Sequence, residues 1–120
     1  MSNAKVLIVD DDETVRLVAC EMLSILQCDV SAASSAAEAL DILKLDEFDL
    51  LLLDVGMPVM SGVELFQLIR ERTPSQPIAF ISGYAEEDLS EHLDGYTHVV
   101  PKPFSIATLT DVIARSLPRA

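Results

Sequence analysis

The stretch FDLLLLD, Phe48 to Asp54, constrains this chain more than any other. Four leucines in a row present apolar side chains to both faces of an extended backbone, so such a run is stable as a strand only when it is covered above and below. It is the most apolar strand candidate in the chain, which places it at the centre of a sheet. KVLIVD, Lys5 to Asp10, has the same character, being short, β-branched and apolar until it meets an acid.

Around these two runs the chain alternates between strand and helix patterns. Val15, Val18, Ala19, Met22, Leu23 and Leu26 are spaced as one face of an amphipathic helix. CDVSAA reads as a second, weaker strand, and Ala36, Ala39, Leu40 and Leu43 form a second helical stripe. Val63, Phe66, Leu68 and Ile69 belong to a third helix that ends near Thr73, ahead of Pro74. PIAFIS (Pro77 to Ser82) is the fourth strand. EEDLSEHLD, anchored only by Leu89 and Leu93, is a short fourth helix and the loosest element. THVV (Thr97 to Val100) is the fifth strand, and Ile106, Leu109, Val112, Ile113 and Leu117 mark a last helix.

Five strands alternating with helices imply an α/β fold: a doubly wound parallel sheet with helices on both faces, because each right-handed crossover needs a helix to return the chain. A chain of 120 residues, half of them hydrophobic, is long enough for one core and too short for two ordinary domains. MSNA at the start reads as a tag remnant or a frayed end, leaving residues 5–118 as the folded unit.

In such folds ligands bind in the crevice at the carboxyl ends of the strands, where strand order reverses. Strand one exits at Asp10, Asp11 and Asp12, strand three at Asp54, strand four at Ser82 and strand five at Lys102. Should Asp10, Asp11, Asp54 and Lys102 converge, three negative charges would face one positive charge, and a divalent cation would bring the pocket to neutrality. Hard carboxylate oxygens with room for water suit magnesium, which takes few protein ligands and keeps several waters. Aspartates after strands also cap helices, which is the expectation for Asp12, directly ahead of the first helical turn. Capping accounts poorly for the others, since it requires no lysine and Asp54 lies several residues ahead of its helix.

The remaining composition narrows the function. With 20 acidic and 8 basic residues the formal charge is -12, which repels a phosphate backbone and argues against direct nucleic-acid or anionic-membrane binding. No stretch reaches the roughly 18 to 20 apolar residues of a membrane span, and no signal peptide opens the chain, so a cytoplasmic location is expected. Cys20 and Cys28 stand in no CxxC motif and near no histidine cluster, so reduced thiols without a metal are expected.

VDDD after strand one, LLLDVGMPVMSG around strand three, ISGYA after strand four and VPKPF after strand five together resemble the receiver domains of two-component response regulators. The resemblance covers nearly the whole chain and implies a flavodoxin-like sheet of order 2-1-3-4-5. It further implies that Asp54 is the phosphoacceptor, served by a sensor histidine kinase or a phosphotransfer protein. Asp11, Asp54 and the backbone carbonyl of Gly56 would bind magnesium, with Asp10 acting through water, while Ser82 and Lys102 would contact the phosphoryl oxygens. Lys102–Pro103 is then a candidate cis peptide, and Gly62 would permit the tight turn into the third helix. The wording of ISGYA and PKPF is similar to receivers fused to hybrid sensor kinases, and stand-alone regulators use it too.

In the family an aromatic residue three positions before the lysine rotates on phosphorylation and alters the surface of helix four, strand five and helix five. That position is Val99, which has no ring to rotate. Either switching then runs through Ser82 and the loop around Tyr84, or the domain signals weakly. His98 falls on the opposite side of the strand, with a surface or packing role, and His92 is expected in solvent. Val99 also makes a pseudo-receiver, an interaction module without regulated phosphorylation, the main alternative. A flavin carrier of the same architecture lacks hydroxyl and glycine residues after strand one to cradle a phosphate. A phosphohydrolase using Asp54 lacks a second acid two residues on. The chain is therefore expected to be a signalling domain and not an enzyme.

Overall fold

In the computed structural model, which describes residues 4–57, 59–82, 97–102 and 104–116, five strands form one parallel sheet. They are β1 (Lys5–Val9), β2 (Asp29–Ala33), β3 (Leu50–Asp54), β4 (Ile78–Ser82) and β5 (Thr97–Pro101), in the spatial order β2-β1-β3-β4-β5. The helices are α1 (Glu13–Ile25), α2 (Ala36–Leu45), α3 (Gly62–Arg72) and α4 (Ile106–Ser116). The fourth helix expected over 86–94, with Tyr84, His92, Pro103 and the first three residues, lies outside the described residues.

The leucine run behaves as its composition requires. All five residues of β3 are buried, Leu51 and Leu53 facing one layer and Leu50 and Leu52 the other. β1 divides in the same way, with Leu7 and Val9 on the first side and Val6 and Ile8 on the second. The first layer is closed by Ala36 and Ala39 of α2 and by Leu65, Phe66 and Ile69 of α3. The second is closed by Ala19 and Leu23 of α1 and by Leu109 and Val112 of α4. Helices thus cover both faces, and each fully buried leucine contributes roughly 1.5–3 kcal/mol.

Each helix that follows a strand begins with a polar cap at the same edge of the sheet. Asp12 accepts from the backbone N–H groups of Thr14 and Val15, as expected from its position. Ser35 caps α2, while Ser61 and Glu64 cap α3 reciprocally, the serine hydroxyl accepting from Glu64 N–H and the glutamate from Ser61 N–H. These caps hold the strand-to-helix turns, and with them the acids at the strand exits, in fixed positions.

The other end of α1 carries a cost. Gln27 has φ 65 and follows the cap residue Leu26; its N–H reaches Ser24 O at 2.9 Å, and Cys28 N–H reaches Leu23 O at 2.9 Å. This paired closure needs a left-handed residue where glycine is favoured. Gln27→Gly removes the Cβ strain but enlarges the unfolded ensemble, leaving a net gain of about 0.5–1 kcal/mol. Urea unfolding is expected to show a higher midpoint at unchanged slope.

Candidate functional site

β1 and β3 are adjacent, and their last register pair is Val9 with Leu53. The next residues are Asp10 and Asp54, which share strand parity, so their side chains leave neighbouring strands on one side. Neighbouring strands lie about 4.8 Å apart, which brings the carboxylates together before any ligand is considered. With Asp11 they form a group in which one carboxylate oxygen from each residue lies within 4.8 Å of the others. Asp10 has no exposed surface, Asp54 is buried, and Asp11 is exposed.

The cation expected among these acids is present. Lys102, immediately after β5, extends past the end of β4 to place Nζ 3.3 Å from Asp54 Oδ1 and 3.3 Å from Asp10 Oδ2. The contact with Asp54 is a hydrogen bond. The contact with Asp10 is an ion pair without hydrogen-bond alignment, so Asp10 Oδ2, buried among protein atoms, has no hydrogen-bond partner. The other oxygen, Oδ1, accepts from Asp12 N–H at 2.9 Å.

Burial, then the nearby Asp10 charge, raise the Asp54 carboxyl above its ordinary range, against the opposing pull of Lys102 and of a hydrogen bond from Gly56 N–H. Burial alone would lower Lys102, but the Asp10 and Asp54 charges outweigh it and hold the ammonium above its usual value. One ammonium therefore compensates part of the acid cluster and leaves an excess of negative charge. A buried carboxylate oxygen held by an ion pair alone, three clustered hard donors and uncompensated charge fit a small divalent cation.

Two expectations about glycines resolve differently. Gly56 is exposed, and a Cβ there would meet nothing within 4 Å, which agrees with open access to the pocket. Gly62 was expected to permit the tight turn into the third helix, and glycine is needed there for close approach, its φ not being positive. A Cβ at Gly62 would lie 2.2 Å from the Asp54 carbonyl oxygen, so glycine is needed to let the start of α3 press against the end of β3. The positive φ in this loop belongs instead to exposed Val59, at 68°.

Ser82 ends β4, its backbone in register with Pro101, and its side chain lies outside what the structure describes. Val99 faces solvent with 42% of its surface exposed, and His98 is half-buried on the opposite side of β5. Cys20 and Cys28 are free, and burial pushes both thiols up. Sequence reasoning missed Arg16, whose guanidinium donates to the Asp10 carbonyl oxygen at 2.8 Å. Its position one turn into α1 was the available signal.

Residues 6–114 match the family model described as the response regulator receiver domain. This chain belongs to that family. Among relatives of the receiver, the response regulator protein PilR of Pseudomonas aeruginosa is 33% identical over 119 residues, 98% of this chain and 27% of PilR. Sensor kinase CckA of Brucella abortus is 34% identical, the alignment covering 96% of this chain and 13% of CckA. The receiver thus spans about a quarter or less of the length of the first such relatives. Among solved structures, the response regulator TrrA of Thermotoga maritima, in complex with Mg(2+)-BeF, superposes with a TM-score of 0.84 at 28% identity, covering 95% of this chain and 99% of TrrA. The expected receiver fold and strand order are those observed, and the acidic pocket has the composition of a receiver's phosphoacceptor site. No described helix is long and apolar enough to cross a membrane.

The raised Asp54 carboxyl has a consequence for stability. Between its unfolded and folded pKa the folded receiver binds more protons than the unfolded chain, so this group's contribution to stability grows as pH falls through that window and is lost above it. Asp54→Asn removes the charge at neutral pH and leaves Lys102 paired with Asp10. Without divalent cations the variant is expected to be more stable than the parent by on the order of 1 kcal/mol, with the difference shrinking as pH falls. Thermal melts in chelator across pH check both points.

Proposed function

We propose that this receiver accepts a phosphoryl group on Asp54 from the phosphohistidine of a sensor histidine kinase or a phosphotransfer protein, in a magnesium-dependent reaction. The observation that carries this reading is the Lys102 ammonium lying within 3.3 Å of both the Asp54 and Asp10 carboxylates, inside a cluster of three acids. Asp54 is an anionic nucleophile that needs no deprotonation by a base at neutral pH. An Asp54 carboxylate oxygen forms a bond to phosphorus while the phosphorus–nitrogen bond of the donor breaks, its electron pair returning to the imidazole. The barrier is chiefly the repulsion between carboxylate and phosphoryl oxygens, which the protein lowers by placing positive charge and holding the groups in line.

Lys102 supplies that charge and would contact a phosphoryl oxygen, as would Ser82. Asp11, Asp54 and the Gly56 carbonyl would hold magnesium, with Asp10 through water; the ion would neutralise the acids and polarise the phosphoryl oxygens. Asp10 fixes Lys102 between the two strands. Gly56, with open space around it, leaves the acceptor approachable by a protein donor. Phosphorylation would then change the surface that receivers build from their fourth helix, fifth strand and fifth helix, the last two being β5 and α4 here, with output delivered to a partner or a fused domain. The reaction is a switch on the protein itself, with slow self-hydrolysis and no turnover of an external substrate.

The pseudo-receiver alternative draws on Val99, exposed where a rotating ring would be needed. A single experiment separates the two. Incubation with acetyl phosphate or phosphoramidate and magnesium is expected to add the mass of one phosphoryl group to the parent and nothing to Asp54→Asn. An unmodified parent would favour the interaction module, and a gain that survives in the variant would remove Asp54 from its role.

A further inference from the structure

The exposed Asp11 must hold a fixed position if it is to share a cation with Asp54, yet among the described residues nothing donates to its carboxylate. Its backbone supplies the constraint. The Asp10 N–H donates to Ala33 O at 3.1 Å, and the Asp10 carbonyl accepts from Arg16 Nη1 at 2.8 Å. That carbonyl and the Asp11 N–H lie in one rigid peptide plane, so fixing the oxygen fixes the direction in which the Asp11 Cα leaves.

Arg16 stands one turn into α1, with its guanidinium turned back to the end of β1. Arg16 is a cation bonded to the backbone of the acid cluster and, among the described residues, neither hydrogen-bonded nor ion-paired to a carboxylate of the cluster.

We propose that Arg16 is a positioning residue for the cation site: by holding the Asp10 carbonyl it orients the Asp10–Asp11 peptide and so aims the Asp11 carboxylate at the ion shared with Asp54. This inference rests on the functional reading above and adds a specific residue to it. Groups that orient metal ligands typically change affinity by about 10–100-fold when removed. Because Arg16 touches neither acceptor nor ammonium, its loss acts on cation binding and leaves the loaded pocket's reactivity in place.

Calorimetric titration of magnesium into the parent, Arg16→Met and Arg16→Lys tests this, with folding of each checked by melts in chelator. Arg16→Met keeps most of the aliphatic stem and removes the donors; its Kd is expected to rise about tenfold, with Arg16→Lys between it and the parent. The magnesium concentration for half-maximal phosphorylation by acetyl phosphate is expected to rise in parallel, while the rate at saturating magnesium stays within about twofold. Equal Kd values in parent and variants overturn the proposal while leaving the functional reading intact, and so does a reduced saturated rate at unchanged Kd. Should Arg16→Met fail to fold, Arg16→Lys decides alone, a parental Kd overturning the proposal. Absence of magnesium binding by the parent overturns the functional reading and this inference together.

Discussion

The contact between one ammonium and two carboxylates organises this molecule. Asp10 and Asp54 end adjacent strands of a sheet packed between largely apolar layers, and both are buried. At the separation found in the cluster, two like charges repel by about 3 kcal/mol at an effective dielectric constant near 20. Burial adds a desolvation cost for each. Lys102 offsets part of this by bridging both acids, and its long side chain lets β5 serve a site built on β1 and β3 across the intervening β4. What remains is a local deficit of positive charge.

The scaffold converts that deficit into a usable site by rigidity. Leucines on β3 and β-branched residues on β1 lock the strands between two helical layers, so the acids cannot separate to relieve their repulsion without opening the core. Glycine at position 62 brings the start of α3 against the carbonyl of Asp54, and the Ser61–Glu64 box fixes the helix there. On the other side Asp12, Ala33 and Arg16 hold the backbone and one oxygen of Asp10. The tension among the acids is therefore stored in side-chain electrostatics, with the backbone held by apolar packing and caps.

Much of this was legible in the chain. FDLLLLD and KVLIVD announce buried parallel strands because continuous apolar runs have few other stable homes, and their terminal acids must meet if the strands are neighbours. Residue spacing alone did not dictate the neighbourhood of β1 and β3; it came with the resemblance of four motifs to receivers. The need for glycine at position 62 was legible but not its cause, because a glycine needed for close approach and one needed for left-handed backbone look alike in sequence, and the 2.2 Å approach to Asp54 separates them. Ser35–Glu38 and Ser61–Glu64 carry the S-x-x-E spacing of caps and went unread beside the more conspicuous aspartates. Arg16 was hidden because its partner is a backbone carbonyl, which no side-chain pattern reveals.

An acid cluster held together against its own charge should be relieved by the ion it is built to take. The most direct measurement is the melting temperature of the unphosphorylated parent as magnesium is raised from chelator conditions at constant ionic strength. Binding to the folded state alone raises stability as RT ln(1 + [Mg]/Kd), so the expected result is a melting temperature that climbs with the logarithm of magnesium above Kd and a much weaker response in Asp11→Asn. A melting temperature indifferent to magnesium, in a parent that remains folded throughout, would contradict the view that this charge deficit is a cation site.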